Sequence, residues 1–116
     1  MNNDLHPRAL RGIELFNAGE FFEAHEALED AWRASTGELR DLYQGILQAA
    51  VCSFHLERKN FEGARKMSAR ALRWLRPLPA LFHGVDVSAL RADLLSVTAA
   101  RAEEIESVRL RPIGLR

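Results

Sequence analysis

The apolar positions of the chain recur at helical spacing in five separate segments. The first segment places Leu10, Ile13 and Phe16 three residues apart. In the second, over residues 20 to 33, the apolar side chains share one broad arc of a helical wheel and most acidic side chains lie opposite. These residues are rich in Ala, Glu and Leu and contain no Gly or Pro, so they favour a helix that runs to about Ala34.

The third segment is apolar around most of its circumference. Ser35 and Glu38 have the spacing of a capping box, which predicts that a third helix starts there and continues to about Arg58. A helix that is apolar nearly all round belongs in the middle of a bundle. One narrow polar stripe interrupts it, formed by Gln44, Gln48 and His55.

A fourth amphipathic helix is predicted to open at Phe61, after a left-handed turn at Asn60. Three breakers then predict a loop, namely Pro77, Pro79 and Gly84. β-Branched residues nowhere alternate with polar ones over the length of a strand, so no strand is predicted.

Capping residues and composition predict the secondary structure at both ends of the chain. Asp4 is predicted to cap the first helix, and Asp86 or Ser88 to cap a closing helix over about residues 87 to 108. Residues 109 to 116 are expected to form a frayed tail. Because short turns join the first helices, consecutive helices are expected to be antiparallel.

Helices two and four resemble each other at an offset of forty residues, since Phe21 and Ala24 correspond to Phe61 and Ala64. In tetratricopeptide-like repeats, an aromatic residue followed three positions later by a small one lets paired helices pack closely. The fold prediction is therefore an all-α bundle of about five helices in a single domain, residues 1 to 116. It consists of two tetratricopeptide-like antiparallel hairpins and a C-terminal closing helix.

Composition is that of an ordinary soluble globular domain, because 47% of the residues are hydrophobic and 28% are charged. The formal net charge is zero, so no global charge draws the chain to nucleic acid or anionic lipid. The single Cys52 has apolar neighbours, which predicts an inert buried thiol in a reducing compartment. We expect a cytoplasmic protein without membrane contact, because no signal peptide is evident and no apolar stretch approaches the roughly 20 residues that span a bilayer.

Several motifs occur in an order that resembles one family. The longest is the run FNAGEFFEAHEALEDAWR from Phe16, followed by YQGILQAA from Tyr43, then His55, and then NFEGA from Asn60. Together these motifs cover about residues 9 to 75. They resemble a small all-helical prokaryotic family, family 309 of the domains of unknown function. The resemblance implies a compact helical bundle and supplies no established activity.

A polar seam is predicted between helices two and three. His25 and Glu29 are spaced i, i+4 on helix two, so their side chains can touch. Antiparallel packing brings Glu29 level with Gln44 and Gln48, and it brings His25 close to Gln48 and His55. The remaining candidate ligand-binding or network residues are Glu26, Trp32 and Tyr43, and the last two are expected to roof the seam together with Phe22.

Three interpretations of the seam stay open. The first is a buried, satisfied hydrogen-bond network that fixes helix register. The second is a small-ligand or hydrolase-like site, in which Glu29 holds His25 in one tautomer for general-base work and His55 assists. The third is a divalent metal held by the same two histidines and one carboxylate. No cofactor is predicted, because the neighbouring glutamines are poor metal ligands.

Charge is segregated along the chain. Residues 20 to 30 carry five acidic side chains and no basic one, whereas residues 58 to 76 carry seven basic side chains and one acidic one. We expect two solvated helix faces, paired with each other or across a dimer. Nucleic-acid binding is disfavoured, because aromatic residues for base stacking are not interleaved with the basic ones.

These observations predict a non-catalytic interaction or regulatory module that acts through a protein partner or self-association. Three apolar residues near the proline-rich loop are expected either to form an exposed dimer patch or to belong to the core, namely Trp74, Leu81 and Phe82.

Overall fold

Linkers of three residues join the first four helices and fold each one back against the previous one. The computed structural model describes residues 4 to 116. Its helices are α1 (Pro7–Asn17), α2 (Phe21–Arg33), α3 (Gly37–Glu57), α4 (Phe61–Leu75) and α5 (Val87–Ala99), and a short 3-10 turn covers Ile105–Ser107. Each helix packs chiefly against its neighbours in sequence, so α3 lies between α2 and α4. This arrangement confirms the predicted all-α bundle of two hairpins and a closing helix.

A glycine allows close approach of the two helices within each hairpin. A Cβ on Gly12 of α1 would lie 2.6 Å from Cγ of Leu28 in α2, and one on Gly45 of α3 would lie 2.5 Å from Cγ of Leu75 in α4. Both leucines are fully buried. Each leucine therefore fills the space that a side chain on the facing helix would otherwise occupy.

The start of α1 differs from the prediction, because Asp4 does not cap it. Pro7 occupies the first turn, where its missing N–H costs little. The helix is capped instead by His6, whose Nδ1 accepts a hydrogen bond of 3.0 Å from the N–H of Arg8. The helix thus begins too far along the chain for the Asp4 carboxylate to act as its cap.

The starts of α3 and α4 also differ from the prediction. Gly37 has a left-handed φ of +67° and begins α3, so Thr36 is the cap residue and the predicted capping box at Ser35 is not formed. Before α4, the left-handed residue is Lys59, with φ +59°, rather than Asn60. Asn60 instead caps α4, because its side-chain oxygen accepts a hydrogen bond of 3.1 Å from the first helical turn.

Two short strands follow α4, where the sequence predicted none. Strand β1 (Leu81–Phe82) pairs antiparallel with β2 (Val85–Asp86). His83 and Gly84 between them have φ values of +48° and +81°, as in the two-residue turns that match the twist of paired strands. The side chain of Asp86 then caps α5, as one of the two predicted caps. Strands of two residues are too short to produce a visible alternation in sequence.

The closing helix is shorter than predicted. It ends at Ala99, because Ala100 has an extended backbone with ψ 139°, whereas the sequence predicted a helix to about residue 108. Ile105 is nevertheless buried, so the predicted apolar stripe reaches the core through the 3-10 turn.

The C-terminal tail is docked rather than frayed. The Asn17 side chain donates a hydrogen bond of 3.0 Å to the carbonyl of Ile113 and accepts one of 2.7 Å from its N–H. Ile113 is buried, and Leu115 forms an antiparallel bridge with Val85. The tail therefore lies along the small sheet, held by an isolated bridge and two backbone hydrogen bonds.

Replacing Asn17 with alanine is expected to release this tail, because both hydrogen bonds to Ile113 are lost. Amide exchange at residues 113 to 116 should become about tenfold faster, since two hydrogen bonds contribute at least about 1–2 kcal/mol. Hydrogen exchange followed by mass spectrometry measures this rate. The control is Ser96→Ala, at an exposed position of α5. Equal protection of the tail in the Asn17 variant and in wild type would contradict the assignment.

Candidate functional site: the α3 groove

One face of α3 stays partly exposed along the helix, although the rest of α3 is largely buried. Its members recur at intervals of three or four residues, which places them on one side of the helix: Asp41, Gln44, Gln48, Val51 and His55. Side chains of α2 and α4 border this face. We call the face, together with the bordering side chains that line its two pockets, the α3 groove.

The α3 groove holds two pockets, one toward each end of α3. The tryptophan pocket has a volume of about 390 Å³ and is lined by Glu29, Trp32, Arg40, Asp41, Gln44, Leu47 and Trp74. The histidine pocket has a volume of about 220 Å³ and is lined by Phe21, Phe22, His25, Val51, Phe54 and His55. Gln48 lies between the two sets along α3. The larger volume falls within the range of about 300–1,000 Å³ that is common for ligand sites.

Two indoles, two carboxylates and one guanidinium meet in the tryptophan pocket. The guanidinium carbon of Arg40 lies 4.3 Å from the centre of the Trp32 ring, which is a cation–π contact. Trp74 at the end of α4 is 39% exposed. Within residues 4 to 116, the Asp41 side chain has no hydrogen bond or ion pair. Glu29 pairs only with Arg33, at 3.6 Å on the same helix.

Phenylalanine and histidine rings make up most of the lining of the histidine pocket. The Phe22 ring centre lies 6.0 Å from that of His25 and 6.4 Å from that of Phe54. Phe22 itself is 54% exposed, so a large apolar surface faces solvent at the rim of this pocket. An apolar side chain of a ligand can pack here against the rings of α2 and α3.

His55 is anchored to the start of α4. Its Nδ1 lies 3.2 Å from the side-chain nitrogen of Asn60, while the Asn60 oxygen is occupied by the cap of α4. Because an amide nitrogen can only donate, Nδ1 must accept, and the neutral ring carries its proton on Nε2. This contact fixes the ring at the edge of the histidine pocket.

The structure does not show the predicted buried network. His25, Glu29, Gln44, Gln48 and His55 are all partly exposed, and no side-chain hydrogen bond joins any two of them within residues 4 to 116. The predicted contact between His25 and Glu29 is likewise not made: Glu29 pairs with Arg33 and lines the other pocket. Arg33 is spaced i+4 from Glu29, as His25 is spaced i−4, and its guanidinium carries a permanent charge that pairs with the carboxylate.

Gln48, on the α3 face of the groove, has a side-chain atom without a hydrogen-bond partner in the described residues. Its side-chain oxygen is buried, and no hydrogen-bond donor reaches it from the described part of the chain. A buried acceptor without a partner costs roughly 1–3 kcal/mol. The groove therefore keeps one polar atom at a cost in stability, between an apolar pocket and a charged one.

Two predicted site residues lie outside the groove. Tyr43 is fully buried, and its hydroxyl accepts a hydrogen bond of 2.9 Å from the N–H of His6, so it joins α3 to the start of α1. Burial raises the pKa of Tyr43, and the bond from His6 opposes that shift. Glu26 lines neither pocket and is exposed. Tyr43 was placed on the wrong side of α3 because that helix is apolar nearly all round.

The predicted three-ligand metal set is not assembled. His25 and His55 line one pocket and Glu29 lines the other. In the chain from residue 4 onward, no group of three or more His, Cys, Asp or Glu side chains could hold a metal ion. Cys52 is buried, as predicted, and burial raises its pKa to about 12, so the thiol stays protonated at neutral pH.

The acidic face of α2 does not pair with the basic face of α4 in the described residues. Asp30 pairs with Arg8 of α1 at 2.9 Å, and Glu29 pairs with Arg33. The two charged faces therefore remain separate. Between residues 4 and 116, no helix is both long and apolar enough to cross a bilayer.

Sequence reasoning missed part of the tryptophan pocket. Arg40, Asp41 and Leu47 were not singled out, and Trp74 was assigned to a different patch. Extending the polar stripe of Gln44 by one turn toward the start of α3 would have found Asp41. The position of Trp74 depends on how α4 packs across α3, which no local pattern reveals.

The segment that forms α1 to α3 and the first half of α4 carries a family signature. Residues 9–67, about half of the chain, match the family described as Domain of unknown function (DUF309). The chain belongs to the DUF309 family. The resemblance predicted from the sequence motifs is thus confirmed. Both pockets draw most of their lining from the DUF309 segment, and Trp74 lies beyond it.

Two bacterial relatives also match. The chain is 28% identical over 87 residues to an uncharacterized protein of Aquifex aeolicus, which covers 74% of this chain and 26% of that protein. It is 30% identical over 97 residues to the uncharacterized protein YpuF of Bacillus subtilis, which covers 83% of this chain and 55% of that protein. The matched part of this DUF309 chain thus spans about a quarter and about half of the lengths of these relatives.

Proposed function

We propose that this DUF309 domain is a non-catalytic interaction module that binds a short segment of a protein partner in the α3 groove. The observation that carries the proposal is the partly exposed face of α3, bordered by aromatic side chains from α2 and α4. Between Asp41 and Leu56, the remaining residues of α3 are buried except Phe54, which lines the histidine pocket.

The aromatic content of the groove supports this proposal. Phe22 and Trp74 are 54% and 39% exposed, one at each pocket. Aromatic side chains are enriched at protein interfaces, where a few of them carry most of the binding energy. A groove with an aromatic anchor point at each end can hold a segment in one register.

The spacing of the pockets supports a peptide rather than a single small molecule. Gln44 and Val51, one in each pocket, are separated by two helical turns of α3, roughly 10 Å. Two side chains on one face of a helical segment, seven residues apart, have the same separation. One partner segment can therefore occupy both pockets.

The groove offers less to catalysis. A histidine general base needs a group that orients its ring and a reacting atom within reach. His25 lacks its predicted carboxylate partner, and the Nδ1 of His55 is engaged by Asn60. These contacts favour recognition of side chains over proton transfer.

Selection from a phage library of random peptides about 16 residues long tests the proposal. Enriched peptides are expected to bind the wild-type domain and to lose about tenfold or more in affinity to Phe22→Ala and to Trp74→Ala. Both side chains are exposed enough that their removal should leave the fold intact. Leu95→Ala is the matched control, because Leu95 is 51% exposed on α5, outside the groove.

Several outcomes would overturn the proposal. One is a failure to enrich any peptide, and another is equal binding to all three variants. A third is a stable dimer of the domain that Phe22→Ala or Trp74→Ala dissociates, because the occupant of the groove would then be a second copy. Analytical ultracentrifugation of the unliganded domain separates this last case.

A further inference from the structure

We infer that the tryptophan pocket recognises an arginine or lysine side chain of the partner segment, and this inference rests on the proposed function. The chemistry of the pocket is specific enough to name the class of side chain. It combines two indole rings with two carboxylates. Cations bind the faces of indole rings and pair with carboxylates, so both components favour the same ligand.

The protein already contains one example of this recognition. The guanidinium of Arg40 lies 4.3 Å from the centre of the Trp32 ring. It makes no ion pair or hydrogen bond through its side chain in the described part of the chain. The ring contact is thus the one interaction that holds this guanidinium, which demonstrates that the Trp32 face accepts a planar cation.

The carboxylates of the pocket are available to a second cation. Asp41 is partly exposed and unpaired within residues 4 to 116. The ion pair between Glu29 and Arg33 is long, at 3.6 Å, and both side chains are exposed, at 39% and 67%. Exposed pairs of this kind are weak and exchange easily. The pocket lining therefore carries two carboxylates and one guanidinium, that of Arg40, while Arg33 outside the lining is held to Glu29 by this weak pair.

The neighbouring pocket completes the description of the partner. The histidine pocket presents Phe22, Val51 and Phe54, so it takes an apolar side chain. The partner segment should therefore carry a large apolar residue and a basic residue roughly 10 Å apart, which corresponds to positions i and i+7 of a helix.

Arg40 is expected to compete with the incoming cation for the Trp32 ring. Replacing Arg40 with alanine removes the internal occupant and one positive charge. The affinity for a cationic ligand should then rise about threefold or more, because both a competitor and a repulsion disappear. A purely structural role of Arg40 predicts no such gain.

Tryptophan fluorescence tests the inference directly, because both tryptophans of the chain line this pocket. The probes are arginine amide and citrulline amide, which have nearly the same shape but differ in charge. Arginine amide should change the emission in a saturable way and bind about fivefold or more tighter than citrulline amide. The double variant Glu29→Gln, Asp41→Asn should reduce that affinity about fivefold or more.

The control is the double variant Glu23→Gln, Glu26→Gln, which removes two charges from exposed positions of α2 outside the pocket. It should bind arginine amide within about twofold of wild type, since screened charges at a distance contribute little. Equal binding of the two probes would overturn the inference, and so would an equal loss in both double variants.

Failure of the inference is distinguishable from failure of the proposed function. Selected peptides that bind the groove without any basic residue would overturn the inference and leave the interaction module intact. Binding of arginine amide without any peptide binding would overturn both, and it would assign the pocket to a free guanidinium ligand.

Discussion

Replacing Gly45 with alanine is expected to destabilise the domain by about 1–3 kcal/mol, although alanine is the better helix former. The new Cβ would lie 2.5 Å from Cγ of the fully buried Leu75, so the helices of the second hairpin must separate or the leucine must leave its rotamer. In a Leu75→Ala background that conflict is absent. There the same substitution should stabilise the protein by about 1 kcal/mol, through helix propensity alone.

Urea unfolding of the four proteins of this double-mutant cycle measures the sign change. Leu75→Ala alone should cost about 2–5 kcal/mol, because a buried leucine is truncated. The matched control is Gly12→Ala in the same Leu75→Ala background. It should remain destabilising, because Gly12 contacts Leu28 in the other hairpin. Additive effects of Gly45→Ala and Leu75→Ala would show that this contact does not set the hairpin spacing.

Replacing Gln48 with methionine is expected to stabilise the domain by about 1 kcal/mol and to weaken binding in the α3 groove. Methionine has a similar shape and removes the buried oxygen that no donor reaches. A structural network would give the opposite result, since loss of a satisfied glutamine destabilises. The sign of this one free energy therefore separates the two roles considered for the seam.

Thermal and urea unfolding measure the stability of Gln48→Met, and titration with the selected peptides measures its affinity. Gln44→Met is the control, because the Gln44 amide has no buried unsatisfied atom among the described side chains. It should leave the stability within about 0.5 kcal/mol of wild type, as is usual for surface substitutions. A Gln48 variant that is less stable than wild type would contradict the conclusion that the buried Gln48 oxygen has no hydrogen-bond donor.

Helix positions were predictable because each depends on short-range periodicity. The apolar arc of α2 appears at successive helical turns, and Ala24, Leu28 and Ala31 are buried as that arc predicts. The antiparallel hairpins followed from linkers too short for any other connection. The same reasoning placed Gln44 and Gln48 on one side of α3, where the groove lies.

Caps and turns were less predictable, because a difference of one or two residues changes their role. His6 rather than Asp4 caps α1, and Lys59 rather than Asn60 takes the left-handed conformation. In each case the composition of the linker was interpreted correctly as a helix boundary. The choice between adjacent polar residues depends on backbone geometry, which the packing of the helices determines.

Long-range contacts could not be predicted from local pattern at all. The tail is held by Asn17, which is 96 residues from Ile113 in sequence. Within the candidate site, Glu29 pairs with Arg33 and lines the tryptophan pocket, whereas His25 lines the histidine pocket. Sequence spacing permits Glu29 to pair with either residue, and the permanent charge of the guanidinium is what favours Arg33.

Backbone amide chemical shifts of the labelled domain, titrated with a selected peptide, show where on the domain the segment binds. For a segment bound in the α3 groove, the largest shifts are expected on α3 between residues 41 and 55 and on α2 between residues 22 and 32. Trp74 should shift as well, as the single strong signal from the end of α4. Shifts concentrated instead on α5 or on the exposed basic positions of α4, with α3 unchanged, would contradict binding in the α3 groove.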